Sequence, residues 1–251
     1  MEDKFFNTTI YNEESRQKAQ NLGADYLEYQ EGMEILDSDM LEQVKAFRAE
    51  YDPANFTEAD VRRALRSEKK TLRDFGALLS PAAETLLEEI ALAARKDRQK
   101  YFGNNVFFFT PLYLANYCEN YCVYCGFNCH NKIQRARLSV EQMEQEMQVI
   151  SETGMQEVLL LTGESRKMSD INYIGEACKL ARKYFKVVGL EIYPVNSEEY
   201  AYLHKCGADF VTIFQETYNS KKYGQLHLAG HKRSFPYRFY GQERALKGGM
   251  R

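Results

Sequence analysis

The sequence predicts an α/β protein: about four βα units of a TIM-type (β/α) barrel, preceded by a helical N-terminal extension. From about residue 104, apolar runs alternate with amphipathic stretches at short spacing, as in βαβ units with a parallel sheet. The unusual motifs all follow predicted strands directly, where parallel sheets carry their chemistry. We therefore divide the chain into a helical extension, residues 1–103, and an incomplete barrel, residues 104–251.

The N-terminal extension is polar, charged and helical in pattern. Thr57 predicts a helix start, because it is a good N-cap residue and Asp60 occupies the acidic third position. Ser80 followed by Pro81 predicts a second start. The helix behind it has one apolar face, made by residues spaced three to four apart: Leu86, Leu87, Ile90 and Ala94.

The C-terminal part alternates between predicted strands and predicted helices. The predicted strands cover residues 106–109 continuing into 112–114, then 157–161, 187–193 and 210–214. The predicted helices cover residues 139–152, 170–184, 197–205 and 241–246. Four βα units are half of a (β/α)₈ barrel and leave an open edge strand, so we expect a C-terminally truncated sequence.

Charge and hydropathy narrow the class of protein. The net charge of −3 shows no basic excess, which argues against a nucleic-acid partner. Residues 1–4 are acidic with no apolar segment behind them, so we expect no signal peptide. The longest apolar runs, such as 158–161, are far too short to span a membrane. We expect a cytoplasmic protein.

Four of the six cysteines lie within twelve residues. Without a secretory leader, such clustering indicates a metal or cluster rather than disulfides. Cys118, Cys122 and Cys125 have the spacing C-x3-C-x2-C, which can hold three irons of a 4Fe–4S cluster and leave the fourth open. The alternative is a structural zinc site completed by Cys129 and His130.

Residues 111–127, with aromatic Tyr124 before the last motif cysteine, resemble the radical S-adenosylmethionine (SAM) superfamily and, within it, the aromatic amino acid lyases. The resemblance implies that the three motif cysteines bind a 4Fe–4S cluster whose open iron chelates SAM. It also implies one-electron cleavage of SAM to a 5′-deoxyadenosyl radical. Tyr124 would lie near the adenine, and Cys129 would not be a ligand.

The loops after strands two and three add cofactor residues to this resemblance. Gly163 and Glu164 resemble the family's Gly-Glu motif, in which the carboxylate receives the SAM ammonium group. Glu191 is expected to contact SAM or substrate, with a surface acid as the alternative. Tyr193 and Arg238 are expected to bind substrate, although Arg238 is nearly as well explained as a surface arginine.

The segment 215–218, Gln-Glu-Thr-Tyr, is similar to one shared by two tyrosine-cleaving families. One is the 2-iminoacetate synthases of thiazole biosynthesis, and the other is the maturases that make CO and cyanide for iron-only hydrogenase. Gln215 and Glu216 are the expected catalytic or substrate contacts. Three segments favour the first family: residues 79–83, 191–194 and 227–232. His227 and His231 form a conceivable metal pair, but a polar loop is the favoured interpretation.

The resulting hypothesis is cleavage of the Cα–Cβ bond of L-tyrosine to 2-iminoacetate (dehydroglycine) and p-cresol, for thiamine thiazole biosynthesis. The resemblance implies a flavodoxin or ferredoxin electron donor and transfer of the imine to the thiazole synthase subunit. No membrane or nucleic-acid partner is expected. The alternatives are the hydrogenase maturase and a non-catalytic zinc- or cluster-binding module.

Overall fold

The computed structural model describes residues 27–251, which form two compact units. One unit is Ser38–Phe107, and the other is Phe108–Arg251 together with the described residues up to Asp37. The division of the chain at residue 103 stays a prediction. Residues 1–4, on which the expectation of no signal peptide rests, lie outside the described residues.

The first unit is helical. Its elements are α1 (Met40–Glu50), a 3₁₀ turn (Pro53–Asn55), α2 (Glu58–Arg66), α3 (Leu72–Leu78), a second 3₁₀ turn (Pro81–Leu86) and α4 (Leu87–Phe102). The N-cap at Thr57 is confirmed, because its hydroxyl accepts from the Asp60 N–H and the Asp60 carboxylate accepts in return. The helix predicted behind Ser80 is present as the second 3₁₀ turn and α4. Of its predicted apolar face, Leu86 is buried and Ile90 packs against the same core cluster, whereas Leu87 is 60% exposed.

The second unit contains the alternating elements. They are β1 (Thr110–Ala115), β2 (Tyr121–Cys122), α5 (Val140–Glu152), β3 (Glu157–Thr162), α6 (Ile171–Ala181), β4 (Val187–Glu191), α7 (Ser197–Lys205), β5 (Phe210–Val211), α8 (Ser220–Leu226), β6 (His227–Ala229), a 3₁₀ turn (His231–Arg233), α9 (Phe235–Phe239) and α10 (Gly241–Lys247). The main sheet is parallel in the order β1-β3-β4-β5, and β2 pairs with β6 antiparallel. The predicted α/β fold with a parallel sheet is confirmed.

The strand register brings the carboxyl ends of the strands to one edge. Ala115 pairs with Thr162, and Leu161 pairs with Glu191. The cysteine loop, the Gly163–Glu164 loop and Glu191 therefore meet at the same end of the sheet. Buried residues of β3 and β4 pack against α6 and α7 below this edge. In the described chain, no helix is both long and apolar enough to cross a bilayer.

The strand boundaries depart from the predictions at three places. Residues 106–109 are not a strand, and their side chains are 53–76% exposed. The reason is the register: Thr110 pairs with Val158 at the start of β3, so most of the preceding residues extend beyond the strand with which β1 pairs. The third predicted strand ends at Glu191 instead of 193. The fourth is only Phe210–Val211, which pair with Gly189 and Leu190.

Residues 27–37 are held in the second unit by contacts with the start of α7 and with α10. The Glu34 carboxylate accepts hydrogen bonds from the Ser197 backbone N–H (2.6 Å) and from Lys247 Nζ (2.8 Å). The Asn196 side chain donates to the Gly32 carbonyl at 2.8 Å and accepts from the Glu34 N–H at 2.9 Å. Burial alone would raise the pKa of Glu34, but these donors lower it to about 2.

The low pKa of Glu34 predicts a pH-dependent contribution to stability. A carboxyl whose pKa is depressed in the folded state stabilises above its unfolded pKa of 4.5, and the effect is lost as the pH falls through about 2. Glu34→Gln should lower the free energy of unfolding near pH 6, and the difference from wild type should shrink between pH 4.5 and 2. Urea unfolding across this range measures it. Exposed Glu31, changed to Gln, is the control, and a pH-independent difference for Glu34→Gln would contradict the assignment.

Candidate functional site

A cavity of about 180 Å³ opens at the carboxyl edge of the sheet. All three motif cysteines line it, and so do most of the other residues predicted for the site: Tyr124, Gly163, Glu164, Glu191, Glu216 and Arg238. Two predicted residues lie outside its lining. The Tyr193 hydroxyl donates to the Ser169 carbonyl at 2.7 Å, and Tyr193 lines a second cavity. Gln215 is buried, and its Nε2 has no hydrogen-bond partner among the described residues.

A buried arginine holds the cysteine loop in place. Arg135 is 2% exposed. Its guanidinium donates to the carbonyl oxygens of Asn116 (2.6 Å), Phe127 (2.9 Å) and Asn128 (2.8 Å). These carbonyls lie on both sides of the cysteine motif, so one side chain fixes both ends of the loop. Sequence reasoning missed Arg135, because an arginine in a polar stretch looks like a surface residue.

The thiols suit iron–sulfur ligation. None of the cysteines is in a disulfide, and burial raises the pKa of Cys118 and Cys122 to about 12. Such thiols become thiolates at neutral pH only when a metal binds them. In residues 27–251, no group of three His, Cys, Asp or Glu side chains is arranged to hold a single ion. A 4Fe–4S cluster needs no such convergence, because each thiolate binds a different iron. The donor set therefore fits the cluster.

Glu164 is held as a carboxylate at the centre of the cavity wall. Its oxygens accept from Arg238 Nη1 (2.7 Å) and from Asn120 Nδ2 (2.8 Å). Burial alone would raise the pKa of Glu164, but the charges of Arg238 and Lys232 hold it below its usual value. Arg238 is itself buried and also donates through Nε to the Phe214 carbonyl at 2.6 Å. Arg238 is thus not a surface arginine, and it fixes Glu164.

Gly163 allows the loop after β3 to pass directly over the cysteine loop. A Cβ at this position would lie 2.2 Å from the Tyr117 carbonyl oxygen and 2.8 Å from its carbon. The Gly163 N–H donates to the Ala115 carbonyl, and the Glu119 N–H donates to the Glu164 carbonyl. The sequence predicted Gly163 as a SAM contact, and the structure adds this packing constraint.

Tyr124 is fixed by a histidine on the neighbouring strand. The β2–β6 pairing places His227 Nε2 2.7 Å from the Tyr124 hydroxyl. His227 Nδ1 lies 2.9 Å from the Tyr223 carbonyl, which can only accept. The proton is therefore on Nδ1, and Nε2 accepts from Tyr124. Burial lowers the pKa of His227 to about 4, which keeps the ring neutral. His231 instead lines the second cavity, so the two histidines do not act as a pair.

Glu216 enters the cavity from a left-handed backbone conformation. Its φ of 66° is the one positive value at a non-glycine residue in the described chain. Its carboxylate accepts from Lys232 Nζ at 2.8 Å. Neither Lys232 nor Asn120 was predicted. Asn120 is one of the three residues between Cys118 and Cys122, and Lys232 ends the segment 227–232, which was interpreted as a polar loop. Thr162 also lines the cavity, and its buried hydroxyl has no hydrogen-bond partner among the described residues.

The close approach at Gly163 predicts a specific sensitivity. Gly163→Ala should lower the free energy of unfolding by about 1–3 kcal/mol, the usual cost of overpacking a tight site. It should also reduce iron bound after anaerobic reconstitution, because the cysteine loop must move. Urea unfolding and iron analysis measure both effects. Gly126→Ala in the same loop is the matched control, since a Cβ there meets nothing within 4 Å. Equal behaviour of the two variants would contradict the packing role.

Comparisons with known proteins agree with this site. The Radical SAM superfamily matches residues 112–251, more than half of the chain. The chain is 39% identical to the 2-iminoacetate synthase of Escherichia coli (strain K12) over 77% of its own length and 52% of that relative. It is 32% identical to the 3-methylornithine synthase of Methanosarcina barkeri over 63% of the chain and 46% of that relative.

A solved structure gives the same result for the fold. The crystal structure of HydG, a maturase of the [FeFe]-hydrogenase, superimposes with a TM-score of 0.78 at 28% identity, over 85% of this chain and 49% of that one. The chain spans about half the length of the curated relatives it matches. Members of the matched family use a 4Fe–4S cluster and SAM. The family model covers most of the second unit, and the sheet edge in this part of the chain presents three thiols to one cavity. The chain therefore belongs to the radical SAM superfamily.

Proposed function

We propose that the protein is a radical SAM lyase that cleaves the Cα–Cβ bond of L-tyrosine to 2-iminoacetate and p-cresol, with 5′-deoxyadenosine and methionine as further products. The observation that carries the proposal is Glu216. It belongs to the Gln-Glu-Thr-Tyr segment typical of tyrosine-cleaving families, and it lines the same cavity as the three motif cysteines. The 39% identity to a 2-iminoacetate synthase supports the same reaction.

The cofactor side of the site is assigned as follows. Cys118, Cys122 and Cys125 hold the cluster, which together with SAM supplies the radical chemistry when bound. The proposed SAM contacts are the remaining predicted residues on this side of the cavity: Tyr124, Gly163, Glu164 and Glu191. The hydrogen bond to His227 keeps the Tyr124 ring in one orientation, and Asn120 and Arg238 do the same for the Glu164 carboxylate. Such prior positioning lowers the entropic cost of ordering the reactants.

The substrate side is assigned to the loop after β5. Glu216 is the proposed contact to tyrosine, and Gln215 supports it from a buried position. Arg238 was predicted to anchor the substrate carboxylate, but two of its nitrogens already bind Glu164 and Phe214. We therefore propose that it acts on tyrosine mainly by fixing Glu164. Tyr193 lines the second cavity, as does Glu164, and its proposed contribution to substrate binding is made from there.

The runner-up is the CO- and cyanide-forming maturase, which the structural similarity to HydG supports. The sequence segments around Glu191 and His227 and the higher identity to 2-iminoacetate synthase favour the thiazole enzyme. A non-catalytic zinc- or cluster-binding module is the alternative from another class. The flavodoxin or ferredoxin donor, the thiazole synthase partner and the cytoplasmic location stay predictions.

Cluster binding should depend on three cysteines and not on the fourth. After anaerobic reconstitution, Cys118→Ala, Cys122→Ala and Cys125→Ala should each lose the brown 4Fe–4S absorption, because an iron loses its protein ligand. Cys129→Ala is the matched control and should keep it, since Cys129 is buried in the same loop but does not line the cavity. A colourless wild-type protein that holds one tightly bound zinc would defeat the radical SAM assignment of these residues.

Turnover separates the candidate reactions. The reconstituted protein is incubated with SAM, dithionite and L-tyrosine, and p-cresol and glyoxylate (from hydrolysis of 2-iminoacetate) are measured. We expect both products, and Glu216→Gln should reduce p-cresol formation by at least about tenfold, the scale of one lost charged hydrogen bond. Release of cyanide and CO would move the assignment to the maturase. Cleavage of SAM without p-cresol would rule out both tyrosine-cleaving assignments.

A further inference from the structure

A group of cations surrounds the connection between α2 and α3 in the helical unit. Residues 38–107 carry 12 basic and 12 acidic side chains, so this part of the chain is neutral as a whole. Residues 62–73, however, carry six basic side chains and one acidic one. Of the six, Arg62 and Arg63 form ion pairs with neighbouring carboxylates. The other four are exposed and form no ion pair within the described part of the chain: Arg66, Lys69, Lys70 and Arg73.

Helix stability does not account for these four cations. A positive charge is favourable at the C-terminal end of a helix and unfavourable at the N-terminal end. Arg66 is the last residue of α2 and follows this rule. Arg73 lies in the first turn of α3, and Lys69 and Lys70 lie just before that helix. Three of the four cations are therefore at a helix end that disfavours them, which indicates a role in binding.

Next to these cations, α3 exposes its large apolar side chains and buries its small ones. Leu72, Phe75 and Leu79 are spaced as on one face of a helix, and they are 65%, 57% and 64% exposed. Gly76 and Ala77, on the other side, are buried. An ordinary surface helix has the opposite arrangement, with its large apolar residues facing the core. The three exposed residues therefore form an apolar stripe beside the cations.

Close packing within the helical unit fixes this orientation of α3. The Tyr51 hydroxyl donates to the Gly76 carbonyl at 3.2 Å, and a Cβ at Gly76 would lie 3.0 Å from the Tyr51 ring. Ala77 is completely buried in the core cluster that contains Val61. A rotation of α3 that buried Phe75 would press a large side chain into a space filled by these contacts. The apolar stripe is thus a lasting part of the surface.

The four cations and the apolar stripe together are called the α3 surface, and their chemistry selects a partner. A nucleic-acid backbone offers negative charge but no apolar groups for the stripe. A helix that binds an anionic membrane presents an apolar face over several turns, whereas α3 has seven residues. A second copy in a symmetric contact would bring the same cations together. A protein surface with apolar side chains among its carboxylates matches both the charge and the stripe.

We propose that the α3 surface docks a partner protein through an acidic patch of that partner. The partner's carboxylates bind the cations of residues 66–73, and its apolar side chains cover Leu72, Phe75 and Leu79. A contact of this size belongs to the small, transient class of interfaces, in which charge governs the rate of association. The inference does not rest on the tyrosine reaction, which is assigned to the cysteine cavity.

The test measures binding of two acidic peptides of equal length and charge to the full chain. In the first, leucines recur at three- and four-residue intervals and glutamates fill the other positions. In the second, serines replace the leucines. Lys69→Glu combined with Lys70→Glu reverses the charge of the α3 surface, and Phe75→Ser interrupts the stripe. The matched control is Arg95→Glu combined with Lys96→Glu, the same change of charge at exposed residues of α4.

Wild type and the control should bind the Glu/Leu peptide more tightly than the Glu/Ser peptide, and both affinities should fall as salt is added. The charge-reversed variant should bind both peptides about tenfold more weakly, the scale of two surface ion pairs turned into repulsions. Phe75→Ser should lose the preference for the Glu/Leu peptide. Equal affinities of the charge-reversed variant and the control would overturn the inference, as would an unchanged preference in Phe75→Ser.

The other possible occupants are measured with the same variants. The probes are a single-stranded DNA oligonucleotide and vesicles of phosphatidylcholine with phosphatidylserine. If either binds more tightly than the Glu/Leu peptide at the same salt concentration, and only with the α3 surface intact, the acidic protein is rejected as the partner. Light scattering gives the molar mass of the chain, and a dimer that Phe75→Ser abolishes would reject it in favour of a second copy.

Urea unfolding shows whether each variant is folded, and the exposure of the changed side chains predicts wild-type stability for all of them. If the charge-reversed variant does not fold, Lys69→Gln combined with Lys70→Gln replaces it, since this pair removes the charge without reversing it. Binding of both peptides should then weaken by a smaller factor. Full wild-type affinity of this neutral variant at low salt would overturn the inference.

Discussion

The carboxylate of Glu164 is the point at which the loops of the sheet edge meet. Asn120 of the cysteine loop and Arg238 of α9 both donate to it, and Arg238 extends the network to the Phe214 carbonyl after β5. This arrangement exists only because Gly163 lets the loop after β3 touch the Tyr117 backbone. The close approach of Gly163 to the Tyr117 backbone leaves no room for a side chain at residue 163. It thereby sets the spacing between the cysteine thiols and the Glu164 carboxylate.

Buried cations carry much of this organisation. Arg135 and Arg238 are 2% and 5% exposed, and removing such charges from water is costly unless every donor finds an acceptor. Arg135 donates to three backbone carbonyls, whereas Arg238 donates to one carbonyl and one carboxylate. The buried pair of Arg238 and Glu164 is by itself weak evidence for net stability, because the cost of desolvation offsets much of the attraction between the charges. One wall of the cavity is accordingly held by hydrogen bonds within the protein itself.

Local sequence patterns predicted the elements and the motif-bearing part of the site. The capping signal at Thr57 predicted the start of α2, and the bounds of α7 agree with the prediction. Contacts between distant residues left no such pattern. Tyr124 and His227 are 103 positions apart, and Lys232 meets Asn120 across 112. Arg135, His227 and Lys232 could not be assigned from the sequence, because a periodic or capping signal extends over only a few residues. Residues 106–109 illustrate a wrong prediction from a local pattern. Their apolar run predicted a strand, but the sequence does not reveal whether another strand lies beside it.

The attachment of Glu34 to Ser197 has a consequence for how the chain is made. These residues are 163 positions apart, and the entire helical unit is synthesised between them. At roughly 5–20 residues per second, a ribosome needs about 8–30 s to deliver the partner of a segment that has already emerged. Glu34 thus leaves the ribosome well before the residue that holds it in the folded protein. The unit that holds the cysteines consists of two separate segments of the sequence, and these are synthesised at different times.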